Sequence, residues 1–259
     1  MPPLDSPDWA RLRHAYGVAT DLPPMLNKLW TDDWELVWDE LVNEILHQGD
    51  VYQAAYAAAS HLVACAEDIG PGEQSDAMLY QVGRIARGGP EVPDWIEEDW
   101  EDAQEEARQL ILDRLIAGQV SETYAVLLIS ALLNLSGQWS LGETLDRWCC
   151  GHSVGFQCAQ CDTQGEVFWH DGGPRQAIET THATGERVVE RIIPIDVVPS
   201  DLSAVTPDED LEFEDEQLLE QILGLAESSG HASTERQVRM LFGTVKCLGC
   251  GMSVPMVAS

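Results

Sequence analysis

The pairs Cys158-Ala159-Gln160-Cys161 and Cys247-Leu248-Gly249-Cys250 constrain this chain more than any other feature of it. They stand 85 residues apart, and each offers two thiolates from one tight turn. Structural zinc takes four such ligands in a tetrahedron. If one ion takes both pairs, the fold must carry the C-terminal region back to the middle of the chain and close a large loop there. Asp162 follows the first pair and Gly251 the second. Both residue types tolerate the positive φ at which such a turn folds back. Strand-like segments flank both pairs: 154–157 and 166–169 around the first, 244–246 and 253–254 around the second. A redox CxxC would instead open a helix after a strand, with basic charge nearby to lower a thiol pKa. Only Lys246 answers to that description.

The expectation is one Zn2+ held by Cys158, Cys161, Cys247 and Cys250. Two other arrangements stay open at this level. One is a pair of independent dithiols or a disulfide; the other recruits Cys149, Cys150 or His152 from the segment WCCGH. Four thiolates leave no position for water, so the ion is expected to be structural rather than catalytic. Cys65, on an alanine-rich helix, reads as a core residue, and His170 and His182 stand alone without a metal-binding partner motif.

Ahead of the first pair the chain reads as helix after helix. Trp34, Val37, Trp38, Leu41, Val42 and Ile45 recur at helical period, with the acids mostly off that stripe and Gly49 as a stop. Asp21 is expected to cap the helix begun by Leu22-Pro23-Pro24. Helices follow over 51–69, 75–87, 94–116 and 121–137, the last with Ser121 as its cap and apolar nearly all round. An outer helix followed by an Ala- or Leu-rich inner one suggests stacked helical hairpins, with a plain bundle as the alternative. After the segment WCCGH the character changes: β-branched and aromatic runs at 166–170 and 187–199, a turn at 171–173, and helices over 216–227 and 234–242, the latter with a Thr234/Gln237 capping box. The expected organisation is a mainly α chain: residues 1–148 a HEAT-like helical solenoid, residues 149–259 a small α+β zinc-ribbon module with an insertion.

Charge sets the class of partner. The 259 residues include 45 acidic and 14 basic ones, a net charge of −31. Such a field repels phosphate backbones and anionic membrane surfaces, so direct nucleic-acid or membrane binding is not expected. The opening MPPLDSPDW has no basic and apolar export segment, and the longest apolar stretch, 124–133, is too short for a bilayer span. With seven cysteines and no export segment, a reducing, cytoplasmic setting is expected.

The segments WARLRHAYGVATDLPPMLNKL and LVNEILHQGDVYQAAYAAASHLV carry Tyr16-Gly17, His47-Gln48-Gly49 and Val51-Tyr52. In these they resemble a group of uncharacterised bacterial proteins with HEAT-like repeats. The closing MLFGTVKCLGCGMSVP resembles the zinc-ribbon tail found on some of those proteins. The resemblance covers the first 70 residues and the tail, implies protein recognition, and brings no catalytic residue set with it.

One stretch suggests where recognition occurs. Residues 94–106 hold eight carboxylates and no basic residue. Glu97, Glu98, Asp99, Glu101, Asp102 and Glu105 fall at spacings that set like charges side by side on a helix, which costs stability unless a cation relieves it. Trp95 and Trp100 lie among them, either as interface anchors or turned into the core. The segment 208–216 is a second acidic run, read as a solvated loop. No phosphate loop, dinucleotide fingerprint or nucleophile elbow occurs, so no enzyme activity is expected. The expectation is a non-catalytic interaction scaffold for a protein with a basic surface. An immunity- or antitoxin-type inhibitor that masks such a partner, or mimics nucleic acid, is the alternative, with a thiol oxidoreductase third.

Overall fold

The computed structural model describes the chain except for residues 171–172, 182–186, 195–196, 201–203, 205–206, 208–212, 214–216, 248 and 257–259. The protein is mainly helical and divides into two compact units, Met1–Gly142 and Glu143–Ser259. The division falls inside a helix, slightly ahead of the expected boundary at 148. Among the described residues, no helix is long and apolar enough to cross a membrane.

In the first unit, α1 (Leu22–Lys28), α2 (Glu35–Ile45), α3 (Gln53–Ile69), α4 (Glu73–Ile85), α5 (Glu97–Ile116) and α6 (Ala125–Leu135) follow one another closely. Sequence neighbours α1/α2, α3/α4 and α5/α6 pack on each other, and α3 also packs on α5 and α4 on α6. The period of α2 explains its orientation. Val37, Leu41 and Ile45 are fully covered, Trp34 and Trp38 half so, and the acids Glu35, Asp39 and Glu40 face solvent. Helices α4 and α6 are buried nearly all round; α6 is small or apolar on almost every side, whereas α4 also buries Ser75, Asp76 and Gln81. Their crossing needs a glycine. A Cβ on Gly83 would sit 2.3 Å from the Ala131 Cβ and 2.5 Å from its Cα.

A buried polar network ties α3, α4 and α5 together. The Arg114 guanidinium donates to the Ala66 carbonyl at 2.7 Å and to Ser75 Oγ at 2.7 Å, and its Nη1 lies 3.4 Å from Asp76 Oδ1. Asp76 Oδ2 accepts from the Ser121 backbone N–H at 2.8 Å. Ser121 does not cap α6: the helix begins four residues later behind Tyr124, and the buried Ser121 Oγ makes no hydrogen bond.

Two small hairpins join this unit without having been legible as strands: β1 (Arg13–His14) with β2 (Gly17–Val18), and β3 (Leu46–His47) with β4 (Asp50–Val51). The second explains the His47-Gln48-Gly49 segment. Gln48 and Gly49 both take positive φ, 53° and 92°, as a two-residue turn matched to strand twist requires. Asp21 precedes α1 as expected but makes no capping hydrogen bond; its carboxylate faces His14 instead.

The second unit takes up the end of α7 (Trp139–Cys149) and then a four-stranded antiparallel meander: β5 (Val154–Gln157), β6 (Gln164–His170), β7 (Gly173–Thr181) and β8 (Arg187–Pro194). Helices α8 (Leu218–Ser228) and α9 (Ala232–Leu241) pack on each other. A three-stranded sheet holds β9 (Val197–Val198), β10 (Thr244–Lys246) and β11 (Ser253–Pro255), with β10 in the centre. Thr234 is not a cap: α9 begins at Ala232 behind His231, and Thr234 is buried within its first turn. Trp148 is fully buried and its indole N–H donates to the Gln237 carbonyl at 3.1 Å. The expected turn at 171–173 and the acidic run at 208–216 fall largely outside the described residues, as does His182.

Candidate metal centre

Each CxxC pair forms the tip of an antiparallel hairpin. In the first, Gln157 pairs with Gln164, so residues 158–163 make the turn. In the second, Lys246 pairs with Ser253, so residues 247–252 make it. The two tips share one hydrogen-bonding plan. The N–H of the first cysteine donates to the carbonyl five residues on, Cys158 to Thr163 at 2.9 Å and Cys247 to Met252 at 2.8 Å. Its carbonyl accepts from the residue four on, Asp162 and Gly251, both at 2.8 Å. Those two residues are the ones with positive φ, 55° and 76°. The chain thus reverses around each cysteine pair in the same way.

The two tips meet. Cys158 Sγ lies 3.6 Å from Cys250 Sγ, and Cys161 Sγ lies 3.5 Å from Cys247 Sγ. All four sulfurs fall within 4.8 Å of one another. A tetrahedron with zinc–sulfur bonds of about 2.3 Å has sulfur edges of a little under about 4 Å, so the spacing fits such an ion. It does not fit disulfides, whose sulfurs bond at about 2.05 Å. All seven cysteines are free thiols. Gly249 makes the close approach possible: a Cβ there would stand 2.4 Å from Thr163 Oγ1 and 3.2 Å from Cys161 Sγ.

Cys161, Cys247 and Cys250 are each shifted by this crowding and by nearby donors. Hydrogen bonds from the Thr163 hydroxyl and the Thr163 backbone pull Cys161 down to about 6. Cys247 is also lowered, first by the Cys250 backbone N–H. At Cys250 the Met252 backbone N–H acts downward, but the neighbouring Cys161, burial, Cys158 and Cys247 outweigh it and hold the thiol up at about 12. Four thiolates at this spacing repel one another; a central divalent cation removes that repulsion, and a coordinating thiol is deprotonated outright. Backbone donors aimed at the sulfurs would stabilise thiolates bound to such an ion.

The remaining cysteines stand apart from this cluster. Cys149 is pushed well above the ordinary thiol range, first by burial and then by Cys150 and Asp146. Cys150 lies exposed, 3.6 Å from Asp146 Oδ1. His152 is exposed. Cys65 is fully buried and raised to about 12 by burial.

The acidic stretch is divided by its helix. Glu97, Glu98, Glu101, Asp102 and Glu105 are exposed on α5, and Asp99 is half-covered. Trp100 is buried at 6% exposure with its ring 5.3 Å from that of Tyr56, so it is a core residue and not an interface anchor. The reason is period: Trp100, Ala103, Ala107 and Ile111 form the covered stripe of α5. Trp95 is half-covered, with the Arg11 guanidinium 4.3 Å from its ring centroid. Glu105 is engaged by Arg108 through two hydrogen bonds of 2.8 and 2.9 Å.

No protein-family model, no curated protein and no solved structure matches the chain.

Proposed function

We propose that this protein is a non-catalytic interaction scaffold that binds a protein partner with a basic surface through the acidic face of α5. The observation that carries this reading is the exposed row Glu97, Glu98, Glu101, Asp102 and Glu105. The first two lie in the first turn of α5, where the helix dipole favours them. Glu101 and Asp102 have no such support, and their like-charge neighbours at three and four residues cost helix stability that a cationic partner would return. In the same reading the first unit is a HEAT-like stack. The packing of α3 on α5 and of α4 on α6 supports two rows of helices, and the opening and closing segments support kinship with bacterial HEAT-like proteins. The second unit is a zinc ribbon that docks the tail by a structural Zn2+ on Cys158, Cys161, Cys247 and Cys250, in a reducing cytoplasm.

The test is affinity capture from the source cells with the wild-type chain and with Glu98→Lys/Glu101→Lys/Asp102→Lys. The expected result is a basic protein retained by the wild type, released as salt shortens the Debye length below about 8 Å, and lost with the charge-reversed chain. Recovery of the same proteins by both chains would overturn the assignment of the face. A captured partner that is a toxin whose activity is blocked would make the scaffold an inhibitor.

A further inference from the structure

The first unit holds a second convergence of metal-binding side chains, remote in sequence from the cysteines. His14 ends β1, Asp21 precedes α1 and Glu44 lies in the last turn of α2. One ligand atom from each falls within 4.8 Å of the others. The His14 side chain is 3% exposed and lies between the two carboxylates: Nε2 is 3.1 Å from Asp21 Oδ1, and Nδ1 contacts Glu44 Oε2.

The hydrogen bonds do not close. The Tyr16 backbone N–H donates to His14 Nδ1 at 3.1 Å. In the neutral ring Nδ1 is then the acceptor, and the ring proton sits on Nε2, donated to Asp21. Glu44 Oε2 therefore meets a lone pair, and it is a buried oxygen without a hydrogen-bond donor. Glu44 also sits at the end of a helix, where the dipole disfavours an anion, and α2 has no basic residue in its last turn. Asp21 has left the capping role that would have used its charge. Among the described residues no Lys or Arg pairs with either carboxylate. Two carboxylates thus converge on one buried imidazole, and one of their oxygens is buried without a donor.

We propose that His14, Asp21 and Glu44 form a site for a divalent cation of the N/O-preferring class, Mn2+ or Zn2+. His14 Nδ1 and the Glu44 carboxylate ligate the ion, which takes over the lone pair that the Tyr16 N–H now engages. Asp21, holding Nε2–H, fixes the tautomer and orientation of the ring, the role a carboxylate plays behind a metal-bound histidine. Mixed imidazole and carboxylate donors suit such ions better than the thiolate cluster suits Mn2+. With few protein ligands the ion keeps water in its remaining positions, so the site is open where the four-cysteine centre is closed.

Mn2+ binding, read from the loss of the free-ion electron paramagnetic resonance signal, tests this on the full chain carrying a single equivalent of zinc, which the four thiolates take first, so that neither the thiolate site nor a second zinc contributes. The expected result is one tight Mn2+ per chain, abolished in Glu44→Gln and weakened about 10- to 100-fold in Asp21→Asn, the usual effect of losing an orienting partner. Glu35→Gln, an exposed acid at the other end of α2, should leave it unchanged. The exposed Asp21 and the isosteric Glu44→Gln change keep the fold, which circular dichroism verifies. Mn2+ uptake that is equal in all four chains would overturn the site and assign the uptake to surface carboxylates. So would no tight uptake at all. Neither outcome bears on the cysteine centre or on the α5 face.

Discussion

Replacing Asp76 with alanine is the sharpest test of how the first unit is held together. Asp76 is fully buried, and its two oxygens serve two elements: Oδ1 lies 3.4 Å from Arg114 Nη1, and Oδ2 accepts from the Ser121 N–H. Removing the carboxylate leaves a guanidinium at 6% side-chain exposure without the carboxylate that faces it. Burial already lowers the Arg114 pKa, and Asp76 is what works against that. Breaking a buried pair by deleting one partner costs about 3–5 kcal/mol. The orphaned Ser121 N–H alone would cost about 1–3 kcal/mol, so Asp76→Ala should fall in the upper half of that range. Arg114→Met leaves the carboxylate with only the Ser121 N–H and should cost about 3 kcal/mol or more. The two changes share one interaction, so the double variant should be more stable than additivity predicts by about 2–3 kcal/mol. Urea unfolding followed by far-ultraviolet circular dichroism measures all three. Single variants that each lose less than about 0.5 kcal/mol, as surface changes do, and that add without coupling would refute the network as a clasp of α3, α4 and α5.

Three further outcomes follow from individual contacts. Gly83→Ala should destabilise by about 1–3 kcal/mol through overpacking against Ala131, despite the better helix propensity of alanine, and should lower the melting temperature measurably. Burial lowers the His61 pKa, while its hydrogen bond to the Pro2 carbonyl acts upward. The unfolded chain takes up that proton near the ordinary value of 6.5, so stability should be full above it and fall as pH drops below it; in His61→Phe the fall should be shallower in pH-dependent melts. Gly249→Ala should weaken metal retention against a chelator, because the added methyl group would press on Thr163 Oγ1 and Cys161 Sγ.

Much of this molecule is legible in the chain because its signals are periodic or local. The stripe of α2 and the run of apolar residues in α6 announce themselves at helical spacing, and the strands beside both CxxC pairs fall where β-branched residues and glycine place them. The positive φ at Asp162 and Gly251 follows from residue type. Other features depend on partners far away in sequence. Asp21 looks like a cap until His14 competes for its carboxylate, and the Ser121 N–H is held by Asp76, 45 residues away. Trp100 sits among carboxylates in sequence yet faces Tyr56, because helix period outranks composition. The two-residue strands beside Tyr16 and His47 are too short to have a period at all. That His14, Asp21 and Glu44 meet could not be read from spacing, since three separate elements bring them together.

The convergence of the two cysteine pairs on one centre is the feature that ties the two hairpins together. Elemental analysis of the purified protein, repeated on Cys158→Ser and on Cys247→Ser, tests it directly. Sulfur contacts of 3.5 and 3.6 Å across the pairs predict one zinc held at this centre in the wild type and its loss in both variants, although their substitutions lie on different hairpins. A wild-type protein without zinc, or zinc lost from one variant and kept by the other, would contradict the single four-cysteine centre.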